Sequence, residues 1–253
     1  MDDELAITDT GAVRTIAINR PDRLNAMTAD TAQALELALR AAAADGVGAV
    51  VLTGVGEHFS SGGDAHAILE RIGRPDDLAP LDLMHAFHRL IEEVWNSRLP
   101  VVAAVSGVAY GGGFNLALAC DLVVCAENVR FCQVFLRRGL VPDVGGAWLL
   151  PRVVGLQRAK EIMLLAPELS AVDAHELGIV NAIADDPLAH ATSLATRLAD
   201  GPRLATALTK KLVNASTAGD LHTSLELEAV TQALTLRGKE ARGGFEKFVR
   251  KSD

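Results

Sequence analysis

The sequence is poor in cysteine and in aromatic residues, and these shortages exclude several classes of protein. Cys120, Cys125 and Cys132 are its three cysteines, and they form neither a CxxC pair nor a zinc-ligand spacing. We therefore interpret them as small buried apolar residues in a reducing compartment. Aromatic residues make up 4% of the 253 residues, too few to suggest a platform on which nucleic-acid bases stack.

Positive charge is also scarce, since 24 lysines and arginines stand against 32 aspartates and glutamates, a net charge of -8. Without a basic stripe, a nucleic-acid partner is not expected. Met1 to Ile7 are acidic and lack the basic and apolar regions of a signal peptide. His85 and His88 lie at helical spacing, but no metal-binding motif surrounds them. We predict a cytoplasmic protein without a metal.

One uncharged run, Leu99 to Cys120, is long enough to cross a bilayer. It contains Pro100 and, in its middle, the triple glycine Gly111 to Gly113. A strand, a turn and the start of a helix explain these residues better than a transmembrane helix does. We predict no membrane association.

Apolar runs of strand length alternate with amphipathic patterns of helical period, which indicates an α/β fold with a mainly parallel sheet. A capping box at Ser170 and Asp173 predicts a helix that ends at Gly178, before a short strand from Ile179 to Ile183. From about Pro202 onward only amphipathic helices are predicted. The earlier strands are predicted at Val13 to Asn19, Val47 to Leu52, Val101 to Val105 and Leu122 to Ala126, with helices after Thr28, over Leu83 to Trp95 and over Asn115 to Ala119.

Two glycine-rich loops stand between a strand and a helix, Phe59 to Asp64 and Ser106 to Gly113. Glycine lets a backbone approach a ligand closely, and the first amides of a helix have no internal partner. Each loop can therefore aim an N–H at an oxygen that gains negative charge, and two such donors make an oxyanion hole. Two alternatives are a purely steric role and phosphate binding, but neither loop has the GxxxxGK[ST] pattern or a full GxGxxG unit.

The order and separation of these loops resemble the enoyl-CoA hydratase/isomerase (crotonase) family over nearly the whole chain. The matching segments are Asn19 to Met27, Phe59 to Asp64, Gly107 to Asp121 and Gly139 to Arg152. The resemblance implies a core of repeated ββα units with an acyl-CoA site over residues 1–200 and a helical oligomerisation region over residues 201–253. It further implies a homotrimer or a dimer of trimers. Coenzyme A is then part of the substrate, and no separate cofactor is expected.

In that family, the two oxyanion donors correspond to Gly63 and Gly112 of this sequence. The family's hydratases also carry two glutamates, and this sequence has Asn115 and Phe135 at those positions, where the resemblance implies contact with the substrate. Asparagine cannot take up and return a proton, and phenylalanine can neither do so nor orient a water. Efficient hydration of a double bond is therefore not expected.

Asp143 is the remaining candidate for acid/base work. It lies in Gly139 to Gly146, where the family's single-acid isomerases place their carboxylate, and the match to ring-1,2-epoxyphenylacetyl-CoA isomerases is especially close. One base can move a double bond by carrying a proton from C2 to C4 if water is excluded. Apolar surroundings should raise the pKa of this aspartate. The alternative is that Asp143 is only the N-cap of a helix from Val144 to Leu150.

The resemblance implies that further residues bind the substrate. Arg23 corresponds to a cation near the phosphates of the coenzyme, and Phe248 and Lys251 correspond to a phenylalanine and a lysine near the adenine. The backbone of Ala26 and of Gly63 to His66, which includes Asp64 and Ala65, is expected to follow the pantetheine and the thioester. Asp64 itself is better interpreted as a helix cap than as a catalytic acid, and His66 stands where many relatives have lysine.

These observations predict an enoyl-CoA isomerase that acts on an unsaturated or epoxidised acyl-CoA through an enolate. Three alternatives stay open at this point. They are a slow hydratase that uses a water held by Asn115, a non-catalytic acyl-CoA-binding paralogue, and serine hydrolysis at Ser106, for which no histidine partner is evident.

Overall fold

Six strands form one mainly parallel sheet in the computed structural model, which describes residues 4–70 and 79–250. In chain order the strands are Leu5–Thr10 (β1), Val13–Ile18 (β2), Ala49–Gly54 (β3), Val101–Val105 (β4), Val108–Tyr110 (β5), Leu122–Cys125 (β6), Arg130–Cys132 (β7) and Ala182–Ile183 (β8). The order across the sheet is β1-β2-β3-β4-β6-β8, and β1 with β2 is its antiparallel pair. The short strands β5 and β7 pair in parallel beside it. The predicted α/β class is confirmed.

Helices cover both faces of this sheet, which is why its central strands are apolar on both sides. All five residues of β4 are buried. Alternate residues point to opposite faces, so Val101 packs in the large core and Val102 in a smaller core under one helix. The helices are Ala29–Ala44 (α1), Ala65–Leu69 (α2), Ala79–Asn96 (α3), Gly112–Ala119 (α4), Gly146–Val154 (α5), Leu156–Leu165 (α6), Ala171–Glu176 (α7), Pro187–Ala199 (α8), Arg203–Ser216 (α9), Leu221–Leu236 (α10) and Lys239–Arg250 (α11).

Two helix starts that were predicted from capping residues are confirmed. The Thr28 hydroxyl accepts from the Thr31 amide at the start of α1, and Ser170 and Asp173 form the predicted capping box of α7. The run from Leu99 to Cys120 folds as β4, β5 and α4. Within residues 4–70 and 79–250, no helix is both long and apolar enough to cross a membrane.

The first strand was missed, because β1 lies at the sheet edge and four of its six residues are exposed. Apolar periodicity therefore gives little signal there. The strands β5 and β7 have three residues each, which is too short for a pattern.

The C-terminal helices begin with α9, which is joined to the core by a buried lysine. The Lys210 ammonium donates to the Asp121 carboxylate at 2.8 Å and to the carbonyls of Val94 at 2.9 Å and Leu99 at 3.3 Å. Beyond it, α10 and α11 expose large apolar side chains such as Val230 and Phe245. A role of residues 201–253 in forming a homotrimer or a dimer of trimers stays a prediction.

Candidate active site

The two glycine loops lie side by side at the carboxyl ends of β3 and β4, which are neighbours in the sheet. The Phe59 amide donates to the Ser106 carbonyl at 2.9 Å. The Ser60 amide donates to the Val108 carbonyl at 3.1 Å, and the Ser60 carbonyl accepts from the Tyr110 amide at 3.0 Å. Hydrogen bonds between the backbones therefore set the relative position of the loops.

Close approach of the loops requires glycine at their point of contact. Gly62 has a φ of +90°, and a Cβ there would lie 2.7 Å from the Tyr110 carbonyl oxygen and 3.1 Å from the Gly112 nitrogen. A Cβ on Gly113 would lie 2.4 Å from the Ser60 carbonyl oxygen. Real side chains do not make such contacts, so larger residues would force the loops apart.

The two amides expected to bind an oxyanion line one pocket. Gly112 is the first residue of α4, whose N-cap, Gly111, offers no side-chain cap. Within the described residues, neither the Gly63 amide nor the Gly112 amide donates to another backbone or side-chain group. Both N–H groups are thus available to an oxygen of a ligand in this pocket.

The pocket has an empty volume of about 570 Å³, part of it open to solvent, and its walls are mostly apolar. Charged side chains reach its lining from Asp64, Arg138 and Asp143. The sequence indicated no pocket role for Arg138 or for the residues of α3, where it predicted only a helix. The apolar lining includes Met27, Ile68, Leu83, Met84, Phe87, Phe135, Leu140 and Val144.

Asp143 lies in the turn before α5 with its carboxyl group at this pocket. The alternative that it caps the helix is wrong, because α5 begins at Gly146, has Gly145 as its N-cap and receives no side-chain cap. Within the described chain, the buried Oδ1 atom of Asp143 has no hydrogen-bond partner. Burial raises the pKa of this carboxyl to about 6, the direction predicted from its apolar neighbours.

The residue after Asp143 has a strained backbone. Val144 has a φ of +49°, a region that β-branched residues rarely occupy and that costs energy unless the surroundings impose it. The buried side chain of Val144 packs over Gly112, since its Cγ2 atom would lie 3.2 Å from a Cβ placed on that glycine. The strained turn therefore places an apolar cover beside one of the two free amides.

Asn115 and Phe135, which the sequence resemblance matched to the glutamates of hydratases, lie in different places. Phe135 lines the pocket. Asn115 is fully buried and is not part of the lining. Its amide donates to the Asp143 carbonyl at 2.8 Å and accepts from Gln133 at 2.7 Å. Direct substrate contact by Asn115, expected from the sequence, is thus replaced by a contact with the backbone of Asp143.

Asp64 is the N-cap of α2, as predicted. One carboxylate oxygen accepts from the His66 amide at 3.0 Å and the Ala67 amide at 3.3 Å, and the other pairs with Arg20 at 2.9 Å. Burial acts to raise the pKa of Asp64, but the two amides and the guanidinium outweigh it and hold the pKa below its usual value. Both oxygens of this carboxylate, next to Gly63 in the chain, therefore already have structural partners.

Of the other expected substrate-binding residues, Arg23 and His66 lie next to each other at the surface. A guanidinium nitrogen of Arg23 is 3.1 Å from the His66 Nδ1 atom. Ala65 is exposed at the start of α2, and Ala26 is buried with its carbonyl accepting from Arg20.

At the C-terminus, Phe248 is 71% exposed on α11 and does not line the pocket. Lys251 lies outside the described residues. Contacts of Phe248, Lys251 and the surface residues Arg23 and His66 with a coenzyme stay predictions.

Comparison with known proteins gives consistent matches over nearly the whole chain. A family model described as enoyl-CoA hydratase/isomerase matches residues 8–253. The 1,2-epoxyphenylacetyl-CoA isomerase of Escherichia coli (strain K12) is 36% identical over 94% of this chain and 92% of that protein. A probable enoyl-CoA hydratase of Rhodobacter capsulatus is 37% identical over 93% and 91%. A crystal structure of a putative enoyl-CoA hydratase from Streptomyces coelicolor A3(2) superposes with a TM-score of 0.93 at 37% identity, covering 98% of this chain and 92% of that one.

Proposed function

The chain belongs to the enoyl-CoA hydratase/isomerase family, and from this premise we propose that it is an enoyl-CoA isomerase for an unsaturated or epoxidised acyl-CoA. The observation that carries the proposal is the state of Asp143. The Oδ1 atom of its carboxyl is buried at the pocket wall and has no partner in the described chain, and Gly112, with its free amide, lines the same pocket. The other carboxylate of the described lining, Asp64, is engaged by a helix start and an arginine.

The proposed reaction uses these groups in two proton transfers. The thioester oxygen accepts hydrogen bonds from the Gly63 and Gly112 amides, which stabilise the negative charge of an enolate. The Asp143 carboxylate removes the proton from C2 of a 3-enoyl thioester, and the electron pair moves to the thioester oxygen. The same carboxyl then delivers that proton to C4 as the double bond moves to C2–C3. The apolar cover from Val144 and Phe135 keeps water from competing for the proton.

Hydration is the second candidate, because relatives described as probable hydratases match as well as the isomerase does. The pocket supports it less. Adding water across a double bond needs coordinated proton transfer to and from that water, and Phe135 offers no such group. The Asn115 amide lies behind the lining and is bonded to Gln133 and to Asp143.

A panel of thioesters tests the assignment directly. Incubation with a linear 3-enoyl-CoA and an aryl-epoxide thioester should give the rearranged products, and a 2-enoyl-CoA should give little 3-hydroxy product. In deuterated water, the 2-enoyl product should carry little deuterium at C4, because the same carboxyl carries the proton from C2 and water is kept out. Accumulation of the 3-hydroxy product as the main reaction would show a hydratase. Thioester binding without any rearranged product would show a non-catalytic binding protein.

The raised pKa of Asp143 predicts the pH dependence of the reaction. Only the ionised carboxyl can accept the C2 proton, so kcat/KM should rise with pH through a pKa of about 6 and then level off. The lowered pKa of Asp64 keeps it ionised throughout that range. Measuring kcat/KM between about pH 4.5 and about pH 8.5 would check this. A flat profile over that range would contradict a catalytic Asp143.

A further inference from the structure

We propose that Gln133 and Asn115 form a buried amide relay that positions Asp143 relative to Gly112 by holding its backbone and leaving its carboxyl free to pivot. The inference rests on the proposed isomerase function and adds two positioning residues to it. Neither residue lines the pocket, so both would act through Asp143.

The relay is a continuous chain of short hydrogen bonds through the interior. The Gln133 amide donates to the Asn115 Oδ1 atom at 2.7 Å, and the Asn115 Nδ2 atom donates to the Asp143 carbonyl at 2.8 Å. Gln133 and Asn115 are both fully buried. Asn115 lies in α4, three residues after Gly112, so this bond links the helix that carries an oxyanion donor to the turn that carries the base.

The direction of the relay is dictated by its last member. A backbone carbonyl can only accept, so Asn115 must turn its NH₂ group toward Asp143 and its oxygen toward Gln133. Gln133 must then donate. Turning either amide over would place two oxygens face to face, so the orientation of both side chains is set by chemistry as well as by packing.

The turn before α5 fits closely around the side-chain amide of Asn115. A Cβ on Gly146 would lie 2.3 to 2.5 Å from three atoms of the Asn115 amide, so only glycine is accommodated there. The Gly146 amide also donates to the Asp143 carbonyl, at 2.9 Å. The Asp143 carbonyl thus has two donors, whereas the Oδ1 atom of its carboxyl has none within the described residues. A base held by its backbone can rotate its carboxyl between C2 and C4 without losing its place.

Packing alone does not account for Gln133. Its Oε1 atom is buried without a partner within the described chain, and an unsatisfied buried acceptor destabilises a fold. An apolar side chain of similar shape would have no such atom. The donor end of Gln133, which fixes the orientation of Asn115, is the part that the proposed reaction requires.

The test compares variants that keep shape but change the donors. Gln133→Met and Asn115→Leu should each lower kcat about 10- to 100-fold, the scale expected when a reacting group is misplaced, while KM changes by less than about threefold. Asn115→Asp should add a descending alkaline limb to the pH profile that the wild type lacks, because an ionised carboxyl cannot donate to the Asp143 carbonyl. The matched control is Ser97→Ala, which removes the acceptor of a partly buried hydrogen bond from the Leu99 amide, away from the pocket.

The wild type is assayed in parallel for conversion of a linear 3-enoyl-CoA to its 2-enoyl isomer, so that each outcome can be assigned. If Gln133→Met and Asn115→Leu keep turnover within about twofold of the wild type, the relay has no positioning role. Loss of turnover and thioester binding in the same proportion, without the new alkaline limb, would also overturn it. A wild type that forms no 2-enoyl product from a 3-enoyl-CoA would refute the proposed function itself, and the positioning role would fall with it.

Discussion

Replacing Asp143 by asparagine should lower isomerase turnover by about 10²- to 10⁴-fold, the range associated with loss of a general base. The substitution keeps the size of the side chain and removes its ability to take up the C2 proton. Because the Gly63 and Gly112 amides are unchanged, acyl-CoA should still bind with similar affinity. Turnover of a 3-enoyl-CoA and titration with a non-reactive acyl-CoA would separate the two effects.

The same variant supplies its own folding control, because Asp143 costs stability. Its pKa is raised to about 6 in the folded state, so the folded state holds the proton more tightly than the unfolded chain does. Wild-type stability should therefore fall as pH rises from about 4 to about 6 and stay level above that range. Asp143→Asn avoids this loss. Its free energy of unfolding should exceed that of the wild type by about 1–3 kcal/mol at neutral pH, allowing for partial solvent exposure, and the gap should close near pH 4.

Urea unfolding at the two pH values measures this difference. A variant that is destabilised at neutral pH would show that the carboxylate contributes to the fold, and its inactivity would then say nothing about chemistry. Near-normal turnover in a well-folded Asp143→Asn variant would end its assignment as the base.

Gly62→Ala should lower kcat by about 10²-fold, the lower end of the range for loss of an oxyanion donor. The new Cβ would enter the space between the loops, 2.7 Å from the Tyr110 carbonyl oxygen and 3.1 Å from the Gly112 nitrogen. Relieving these close contacts requires the second loop to move, and the Gly112 amide would move with it. Steady-state kinetics on a 3-enoyl-CoA would record the loss in kcat.

The control for backbone strain is Gly46→Ala. Gly46 has a φ of +78°, and a Cβ there would meet nothing within 4 Å. This variant carries a left-handed alanine at a cost of about 1 kcal/mol or more but crowds no neighbour. It should be less stable than the wild type with turnover unchanged. Equal losses of kcat in the two variants would mean that strain, rather than displacement of the Gly112 amide, explains the effect.

Much of this fold could be predicted from periodicity and from caps. The apolar run of β4 predicts a strand buried on both faces, and Thr28 marks the start of α1, because both signals are local. The two loops were also predictable, since glycine between a strand and a helix indicates close approach. That they meet depends on the pairing of β3 with β4, which the sequence does not state.

The site could be predicted only in part, because the remaining information is not local. A helix cap and a base are equally compatible with Asp143 in the sequence, and the difference is that α5 begins three residues later. Asn115 was expected at the ligand, yet its side chain turns to the backbone of Asp143. No sequence pattern pointed to Gln133, because its proposed positioning role depends on a hydrogen bond to Asn115, which is 18 positions away.

The buried ammonium of Lys210 has a consequence for how the chain can be divided. It pairs with Asp121 and satisfies one carbonyl in the last turn of α3 and one in the segment that follows it. Asn214, from the same helix as Lys210, donates to the Trp95 carbonyl. Severing the polypeptide near residue 200 would leave an unpaired carboxylate and several bare acceptors on the larger fragment. We therefore expect that residue 200 is not a boundary between two autonomous folding units, and that a chain shortened there would be less stable than the whole protein.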